Sequence, residues 1–326
     1  MRPLSSGMIC GRIVCCGRPV RMRWYLHAAV CLWLACTTIC GAQQVIHVRW
    51  PTTSASPPIS LAGVSPQWLP LIRAGVANVS EETAIATGLS QGQSIGLRRD
   101  EISRLQDLFA AYYRSVRKSS LFGKAPSVLD YCLSERKPQQ GLATVYVPAK
   151  LTAKTKCIVF LHGYGGSLLA YPHYLSSVFS NHVIVCPAYG ISPAEIPNEY
   201  VSEALKATGL RLNIALPKPT LIGLSAGGFG ACAAYVRAPQ TFRELIVLGA
   251  YPPEEVAKKW TREMTVRFLV GSKESYVANG SFKGHMGAVE AKVKSLEWKA
   301  IPGADHFFLL SHQRSTQSAL AEWERP

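Results

Sequence analysis

From about residue 125 onward, short apolar segments alternate with segments in which apolar residues recur every three or four positions. The short apolar segments predict strands over residues 128–133, 142–147, 157–161, 182–186, 219–224, 243–248, 266–270 and 297–301. The segments between them predict helices over residues 168–179, 199–208, 226–237, 253–262, 285–296 and 307–323. Buried strands that alternate with helices are typical of a mostly parallel sheet covered on both faces. The sequence therefore predicts an α/β domain with a doubly wound sheet over residues 125–326, and its first two strands form an antiparallel pair.

The region before this domain has a different pattern. A strand-like stretch over residues 45–50 is followed by a stretch rich in Pro, Ser and Thr over residues 51–60. The pattern then becomes helical up to residue 122, because Ile102, Leu105 and Phe109 recur at helical spacing. We predict a linker and helical N-terminal extension over residues 43–124. We expect it to pack against the α/β domain; the alternatives are that it covers the active site or contacts a partner.

The first 42 residues resemble an export signal. Residues 21–23 are Arg-Met-Arg, residues 24–40 are apolar apart from His27 and two threonines, and residues 40–42 are Cys-Gly-Ala. A basic segment, an apolar segment and small residues at a cleavage position make up a secretory signal. This layout predicts a leader over residues 1–42, a mature chain that begins near Gln43, and a secreted or periplasmic protein. The alternative is an uncleaved segment that anchors the chain in a membrane, which would be its only membrane contact.

The charge distribution and the cysteine content argue against nucleic-acid binding and metal binding. The formal net charge is +15, but five of the arginines precede residue 43 and the remaining basic residues are scattered without interleaved aromatics. This pattern disfavours a nucleic-acid partner. Six of the ten cysteines also precede residue 43, and the other four lack metal-ligand spacing. We therefore expect buried thiols, no metal and no cofactor.

The most informative motif is the sequence GLSAG over residues 223–227. It follows the predicted strand 219–224 and precedes the predicted helix 226–237, so a G-x-S-x-G pattern stands at a strand–turn–helix junction. A tight turn of this kind needs very small residues two positions before and two positions after the central residue, and Gly223 and Gly227 meet that need. The motif identifies Ser225 as a candidate nucleophile.

Three further motifs follow predicted strands. The sequence HGYGG spans residues 162–166, the sequence GSKE spans residues 271–274, and the sequence PGADH spans residues 302–306. A serine hydroxyl becomes a good nucleophile when an imidazole accepts its proton and a carboxylate fixes the tautomer of that imidazole. Of the histidines after Ser225, only His306 follows a strand in a Gly-x-x-His turn, so it is the candidate base.

The order of these motifs resembles the α/β-hydrolase superfamily, and in particular small serine esterases with a core like that of dienelactone hydrolase or feruloyl esterase. The resemblance covers about residues 125 to 324 and implies an α/β-hydrolase fold. It also implies an oxyanion hole built from the backbone N–H groups of Ala226 and Tyr164. The family usually has an aspartate as the acid, whereas this chain has Glu274 at the expected place. Glu254 and Glu255, after the preceding strand, are the alternative acids.

These features predict a serine hydrolase that cleaves a small-molecule carboxylic ester through an acyl-enzyme, with Ser225, Glu274 and His306 as its triad. Peptidase or acyltransferase chemistry with the same triad is one alternative, and a catalytically inactive binding protein is another. Only 17 residues lie between the strands 243–248 and 266–270, which is too few for a large lid. We therefore expect short to medium acyl chains.

Overall fold

The structure is a computed structural model that describes residues 39–54, 65–95, 97–133 and 140–324. Nearly all of the predicted leader lies outside these ranges, so its cleavage and the export of the chain stay predictions. No helix within these ranges is both long enough and apolar enough to cross a membrane.

The described residues form one large sheet of eight strands. Its strands are β2 (Gln44–Pro51), β3 (Gln140–Val147), β5 (Cys157–Leu161), β6 (Val183–Pro187), β7 (Thr220–Leu224), β8 (Glu244–Leu248), β9 (Thr265–Gly271) and β10 (Ser295–Ile301). They lie in the order β10-β9-β8-β7-β5-β6-β3-β2, and every neighbouring pair is parallel except the two pairs that involve β3. Two short strands, β1 (Ile39–Cys40) and β4 (Lys150–Leu151), pair with each other outside this sheet.

Helices cover both faces of the sheet. The α-helices of the described ranges are α1 (Leu69–Ala77), α2 (Glu81–Ser90), α3 (Arg99–Lys118), α4 (Leu129–Cys132), α5 (Ala170–Val178), α6 (Asn198–Leu212), α7 (Ala226–Arg237), α8 (Glu254–Ala257), α9 (Ser275–Ala278), α10 (Ser281–Glu290), α11 (Phe308–Ser311) and α12 (Gln313–Glu324). Three short 3₁₀ helices span Pro66–Trp68, Gly92–Ile95 and Pro239–Thr241.

The alternation of side chains along the strands produces two apolar cores. In β5, Val159 and Leu161 belong to the core under α6, α7 and α10, whereas Ile158 and Phe160 belong to the core under α3, α5 and α12. Strand residues of a parallel sheet are apolar on both faces for this reason. The predicted doubly wound, mostly parallel sheet is confirmed.

The predicted opening pair of strands is wrong in one member. Residues 128–133 form the one-turn helix α4 and its flanks, and the antiparallel partner at the edge of β3 is β2, which the sequence placed in the extension. The buried side chains of Val128, Leu129, Tyr131 and Cys132 follow helical spacing, which a six-residue apolar run does not distinguish from a strand. Since β2 belongs to the main sheet, the predicted boundary at residue 125 does not divide the structure, and the described residues from Ile39 onward form one compact unit.

Three predicted helices also differ from the structure. The predicted helix 253–262 is only one turn long. The predicted helix 285–296 begins earlier, at Ser281, and ends at Glu290, and its last two positions belong to β10. The predicted helix 307–323 is divided in two at His312. The extension itself packs on the sheet through buried side chains of α3, among them Tyr112, Tyr113 and Val116. The described part of the extension therefore packs against the sheet, which is the role expected for it.

Cys132, Cys157, Cys186 and Cys232 are buried and form no disulfide. Burial raises the pKa of Cys157 to about 12, so this thiol stays protonated at neutral pH. These residues therefore act as small apolar side chains within the core.

Candidate active site

Ser225 lies in a strained turn between β7 and α7. Its backbone angles are φ 52° and ψ −117°, a combination that residues other than glycine rarely adopt. Such strain costs about 1–3 kcal/mol. Its N–H donates to the carbonyl oxygen of Leu248 at 2.8 Å, which fixes the turn to the neighbouring strand β8. Strain that is held in place by the surrounding structure is common where a side chain must be presented for chemistry.

The glycines around Ser225 are required by backbone contacts. A Cβ atom on Gly223 would lie 2.3 Å from the carbonyl oxygen of Gly227, and one on Gly227 would lie 2.2 Å from the carbonyl oxygen of Leu161. Helix α7 therefore starts in direct contact with the end of β5. The GLSAG sequence is the local signature of this close approach.

Replacing Gly227 by alanine is expected to lower the free energy of unfolding by at least about 2 kcal/mol, because the new methyl group would clash with backbone that cannot move independently. The matched control is Gly287→Ala in α10, where a Cβ atom meets nothing within 4 Å. This substitution should raise stability by about 0.5–1 kcal/mol, since alanine is favoured over glycine in a helix. Urea unfolding of both variants measures the difference, and equal stabilities would contradict the steric explanation.

His306 approaches Ser225 from the loop after β10. Its Nε2 atom lies 2.9 Å from Oγ of Ser225, within hydrogen-bond distance. The imidazole lies against Gly249, which follows β8 with φ +62°, and a Cβ atom at that position would lie 3.3 Å from the ring. The side chain of His306 is 41% exposed, so solvent and a substrate can reach it.

Glu274 lies behind His306, at the start of α9 and directly after β9. Its Oε2 atom is 2.9 Å from Nδ1 of His306, and its Oε1 atom accepts the N–H of Gly271 at 3.1 Å. The carboxylate is buried, which alone would raise the pKa of Glu274, but the hydrogen bonds from His306 and Gly271 and the charge of His306 outweigh burial and hold this pKa below its ordinary value. Glu274 is therefore ionised at neutral pH and oriented by both of its oxygens.

The structure brings Ser225, His306 and Glu274 into one hydrogen-bonded chain. It does not bring the alternative acids there. Glu254 lies on the surface, where its side chain is 76% exposed and pairs with Lys258 at 2.8 Å. Asp305, the neighbour of His306, pairs instead with Arg104 of α3.

The two residues expected to form the oxyanion hole lie on adjoining segments. Ala226 is the first residue of α7, so its N–H has no acceptor within the helix. Tyr164 lies in the loop after β5, and a Cβ atom on its neighbour Gly163 would be 3.5 Å from the carbonyl oxygen of Leu224. The loop therefore lies beside the turn that carries Ser225. Tyr164 is 54% exposed, and its expected contribution to the site is its backbone N–H group.

Each member of this constellation follows a parallel strand, and along the chain the serine comes first, the acid second and the histidine last. A nucleophile on a strand–turn–helix junction, with partners in this order, is the arrangement of the α/β-hydrolase fold. This chain has the α/β-hydrolase fold. Within the described part of the chain, no three His, Cys, Asp or Glu side chains converge as a metal site.

Comparison with known proteins gives matches at the level of structure. No family model matches the chain, and no curated protein matches it in sequence. Esterase 2 of Thermogutta terrifontis in its apo form is similar, with 15% identity, a TM-score of 0.44, and coverage of 56% of this chain and 88% of the other. Similar too are the naproxen esterase of Bacillus subtilis (13% identity, TM-score 0.42, 57% and 88% coverage) and Est1E of Butyrivibrio proteoclasticus (15%, 0.42, 56% and 93%).

Two residues beside the site were not found from the sequence. Gly249 accommodates the ring of His306, but a glycine after a strand has many other uses. Tyr276 lies beside Glu274, and burial together with the neighbouring carboxylate raises the pKa of its phenol. Its position two residues after the acid is the only signal in the sequence, and it is not a specific one.

Proposed function

We propose that this protein is a serine hydrolase that cleaves carboxylic esters through an acyl-enzyme. The observation that carries the proposal is the chain of hydrogen bonds from Ser225 Oγ to His306 Nε2 and from His306 Nδ1 to Glu274, with 2.9 Å at each step. A strained, glycine-framed turn that presents a serine to an imidazole is costly to maintain, and nucleophilic catalysis accounts for every part of it.

In the proposed reaction, Nε2 of His306 removes the hydroxyl proton while Oγ of Ser225 attacks the ester carbonyl carbon. The carbonyl oxygen becomes an oxyanion, which the N–H groups of Ala226 and Tyr164 stabilise. The tetrahedral intermediate then collapses and expels the alcohol, which takes the proton from His306. Water repeats the sequence on the acyl-enzyme and releases the acid. Throughout, Glu274 keeps the proton of the neutral imidazole on Nδ1 and stabilises the imidazolium.

We place esters before amides because an alkoxide is a better leaving group than an unprotonated amide nitrogen, so ester cleavage demands less of the general acid. The proposed ligand is a small-molecule ester, and the proposed reaction needs no cofactor. From the three-part leader we further propose that the chain is exported from the cytoplasm and begins near Gln43.

The proposal predicts that a fluorophosphonate probe labels the folded protein at Ser225, and that p-nitrophenyl acetate and butyrate are hydrolysed faster than the palmitate. Only the one-turn helix α8 lies between β8 and β9, which leaves little chain there to shelter a long acyl group. Mass spectrometry of the labelled protein and a series of p-nitrophenyl esters test both statements. Absence of labelling would favour a binding protein, labelling without ester turnover would favour a peptidase or an acyltransferase, and a preference for emulsified long-chain ester would contradict the open site.

A further inference from the structure

The loop that carries Tyr164 is held at three points along its length. This oxyanion loop spans residues 162–169, between β5 and α5. Within it, the N–H of Gly165 donates to the carbonyl oxygen of Ile191 at 2.7 Å, and the N–H of Ser167 donates to Sγ of Cys132 at 3.3 Å. The N–H of Leu169, at the end of the loop, donates to Oε1 of Glu81 at 2.7 Å.

Two of these three acceptors come from helices that precede β3, namely Glu81 from α2 and Cys132 from α4. Cys132 belongs to α4, whose side chains also contact Gly166: a Cβ atom on this glycine would lie 2.8 Å from Cδ1 of Leu129 and 3.1 Å from Cβ of Cys132. Gly165 and Gly166 have φ of +109° and +110°, so the path of the loop depends on glycine and on what packs against it. The shape of the oxyanion loop is therefore set largely from outside the sheet.

Glu81 is the most constrained of these groups. It is the first residue of α2, is only 7% exposed, and accepts hydrogen bonds from the hydroxyl groups of Tyr113 and Ser127 as well as from Leu169. Burial raises the pKa of Glu81, and the hydrogen bonds from Ser127, Tyr113, Leu169 and Ala170 oppose that rise. A buried carboxyl group is costly even when it is satisfied, and a local role in packing does not require one.

We propose that Glu81 is a positioning residue for ester hydrolysis: its carboxylate fixes the end of the oxyanion loop so that the N–H of Tyr164 stays directed at the developing oxyanion. The inference rests on the function proposed above. Tyr164 lies only five residues before Leu169, and the contacts with Cys132 and Ile191 carry the constraint along the loop between them.

Oxyanion stabilisation depends on donors that are already in place when charge develops. Losing the acceptor of Leu169 would let the loop shift without removing a group that touches substrate. The effect should therefore fall on the transition state, so that kcat falls while KM changes little. A shift of about 1 Å in a donor can lower the rate on the order of 100-fold.

The test compares Glu81→Ala, Glu81→Gln and the control Glu82→Ala with the wild type. Glu82 is the next residue of α2 and pairs with Arg117 on the surface. Three quantities are measured. The first is kcat and KM for p-nitrophenyl butyrate, with the concentration of active enzyme determined by titration with a fluorophosphonate. The second is the Kd of phenylboronic acid, which forms a tetrahedral adduct with a nucleophilic serine, and the third is hydrogen exchange of residues 162–170.

We expect Glu81→Ala to lower kcat about 100-fold and to raise the Kd of phenylboronic acid in parallel. The KM should stay within about threefold of the wild-type value. Glu81→Gln keeps an acceptor oxygen for Leu169 but replaces the oxygen that accepts from Ser127 with an NH₂ group, so its kcat should fall only about tenfold, the loss of about one hydrogen bond. Hydrogen exchange should become faster at residues 162–170 and stay unchanged in α7. Glu82→Ala should resemble the wild type in all measurements.

A folded Glu81→Ala protein with wild-type kcat and boronate affinity would overturn the inference. If Glu81→Ala does not fold, Glu81→Gln decides, and wild-type kcat with unchanged exchange at residues 162–170 would overturn it equally. Failure of the proposed function has a different signature, since the wild type itself would then neither hydrolyse the ester nor react with the fluorophosphonate.

Discussion

Ser225→Ala should abolish ester hydrolysis, with a loss in kcat of at least about 10⁴-fold, and should leave the fold intact. The substitution removes the oxygen that forms the acyl-enzyme, and the remaining oxyanion donors cannot supply a nucleophile. The turn keeps its strained backbone in either case, because serine and alanine face the same restriction at φ 52°. Steady-state kinetics with p-nitrophenyl butyrate and fluorophosphonate labelling measure the loss.

The stability of this variant separates a catalytic role from a structural one. The hydroxyl of Ser225 contacts His306 at a half-exposed position, so its loss should change the free energy of unfolding by no more than about 0.5 kcal/mol. Ser103→Ala, on the exposed side of α3, is the matched control and should keep full activity. If Ser225→Ala retained more than a few per cent of the wild-type rate, another residue would have to be the nucleophile.

The sequence predicts the turn at Ser225 well because its requirements are local. The backbone approaches at Gly223 and Gly227 leave no space for side chains, so the chain must carry glycine at fixed distances from the serine. The positions of His306 and Glu274 were predictable for a related reason. The carboxyl ends of parallel strands lie along one edge of the sheet, and motifs that follow such strands therefore meet there. Their catalytic roles stay predictions.

Features that depend on distant contacts were not predictable. The role of Gly249 depends on the position of the His306 ring in the folded chain. The burial of Glu81 depends on its contact with Leu169, which is 88 positions away in the chain. The assignment of β2 to the main sheet also depends on its pairing with β3, almost a hundred residues later. Local periodicity carries no information about such pairings, which is why a strand was expected at α4 instead.

The N-terminal extension contacts two segments of the candidate active site. The helical segment contacts both loops that flank Ser225, through Glu81 on the oxyanion loop and through Arg104 on Asp305, the neighbour of His306. In this arrangement the extension supports the two segments that carry the proposed catalytic groups, and contacts of this kind fix the geometry of a site.

Glu274→Gln is the second substitution for which a large effect is expected, a fall in kcat of about 10³–10⁴-fold. An amide at this position has the size of the carboxylate, but its NH₂ group can donate to Nδ1 of His306. That would favour the tautomer with the proton on Nε2, which cannot accept the proton of Ser225. The imidazolium formed during reaction would also lose its neighbouring negative charge. Steady-state kinetics with p-nitrophenyl butyrate measures the fall.

Stability at different pH values gives a second readout for Glu274. The pKa of this carboxyl group is lower in the folded chain than its ordinary value, so the ionised form contributes stability at neutral pH. That contribution is lost as the pH falls through the folded pKa, below the ordinary value of about 4.3. The melting temperature of Glu274→Gln should therefore lie below that of the wild type at pH 7, and the difference should narrow in acid.

The controls for this last prediction are Glu254→Gln and Glu255→Gln, the two acids that follow the preceding strand. Glu254 is solvent-exposed and paired with Lys258, so its conversion to an amide leaves the environment of His306 unchanged. Both controls should hydrolyse p-nitrophenyl butyrate at the wild-type rate. A wild-type rate in Glu274→Gln, together with a collapse in one of the controls, would transfer the role of the acid to the strand before β9. A collapse in all three would indicate that negative charge near the site matters more than the hydrogen bond to Nδ1.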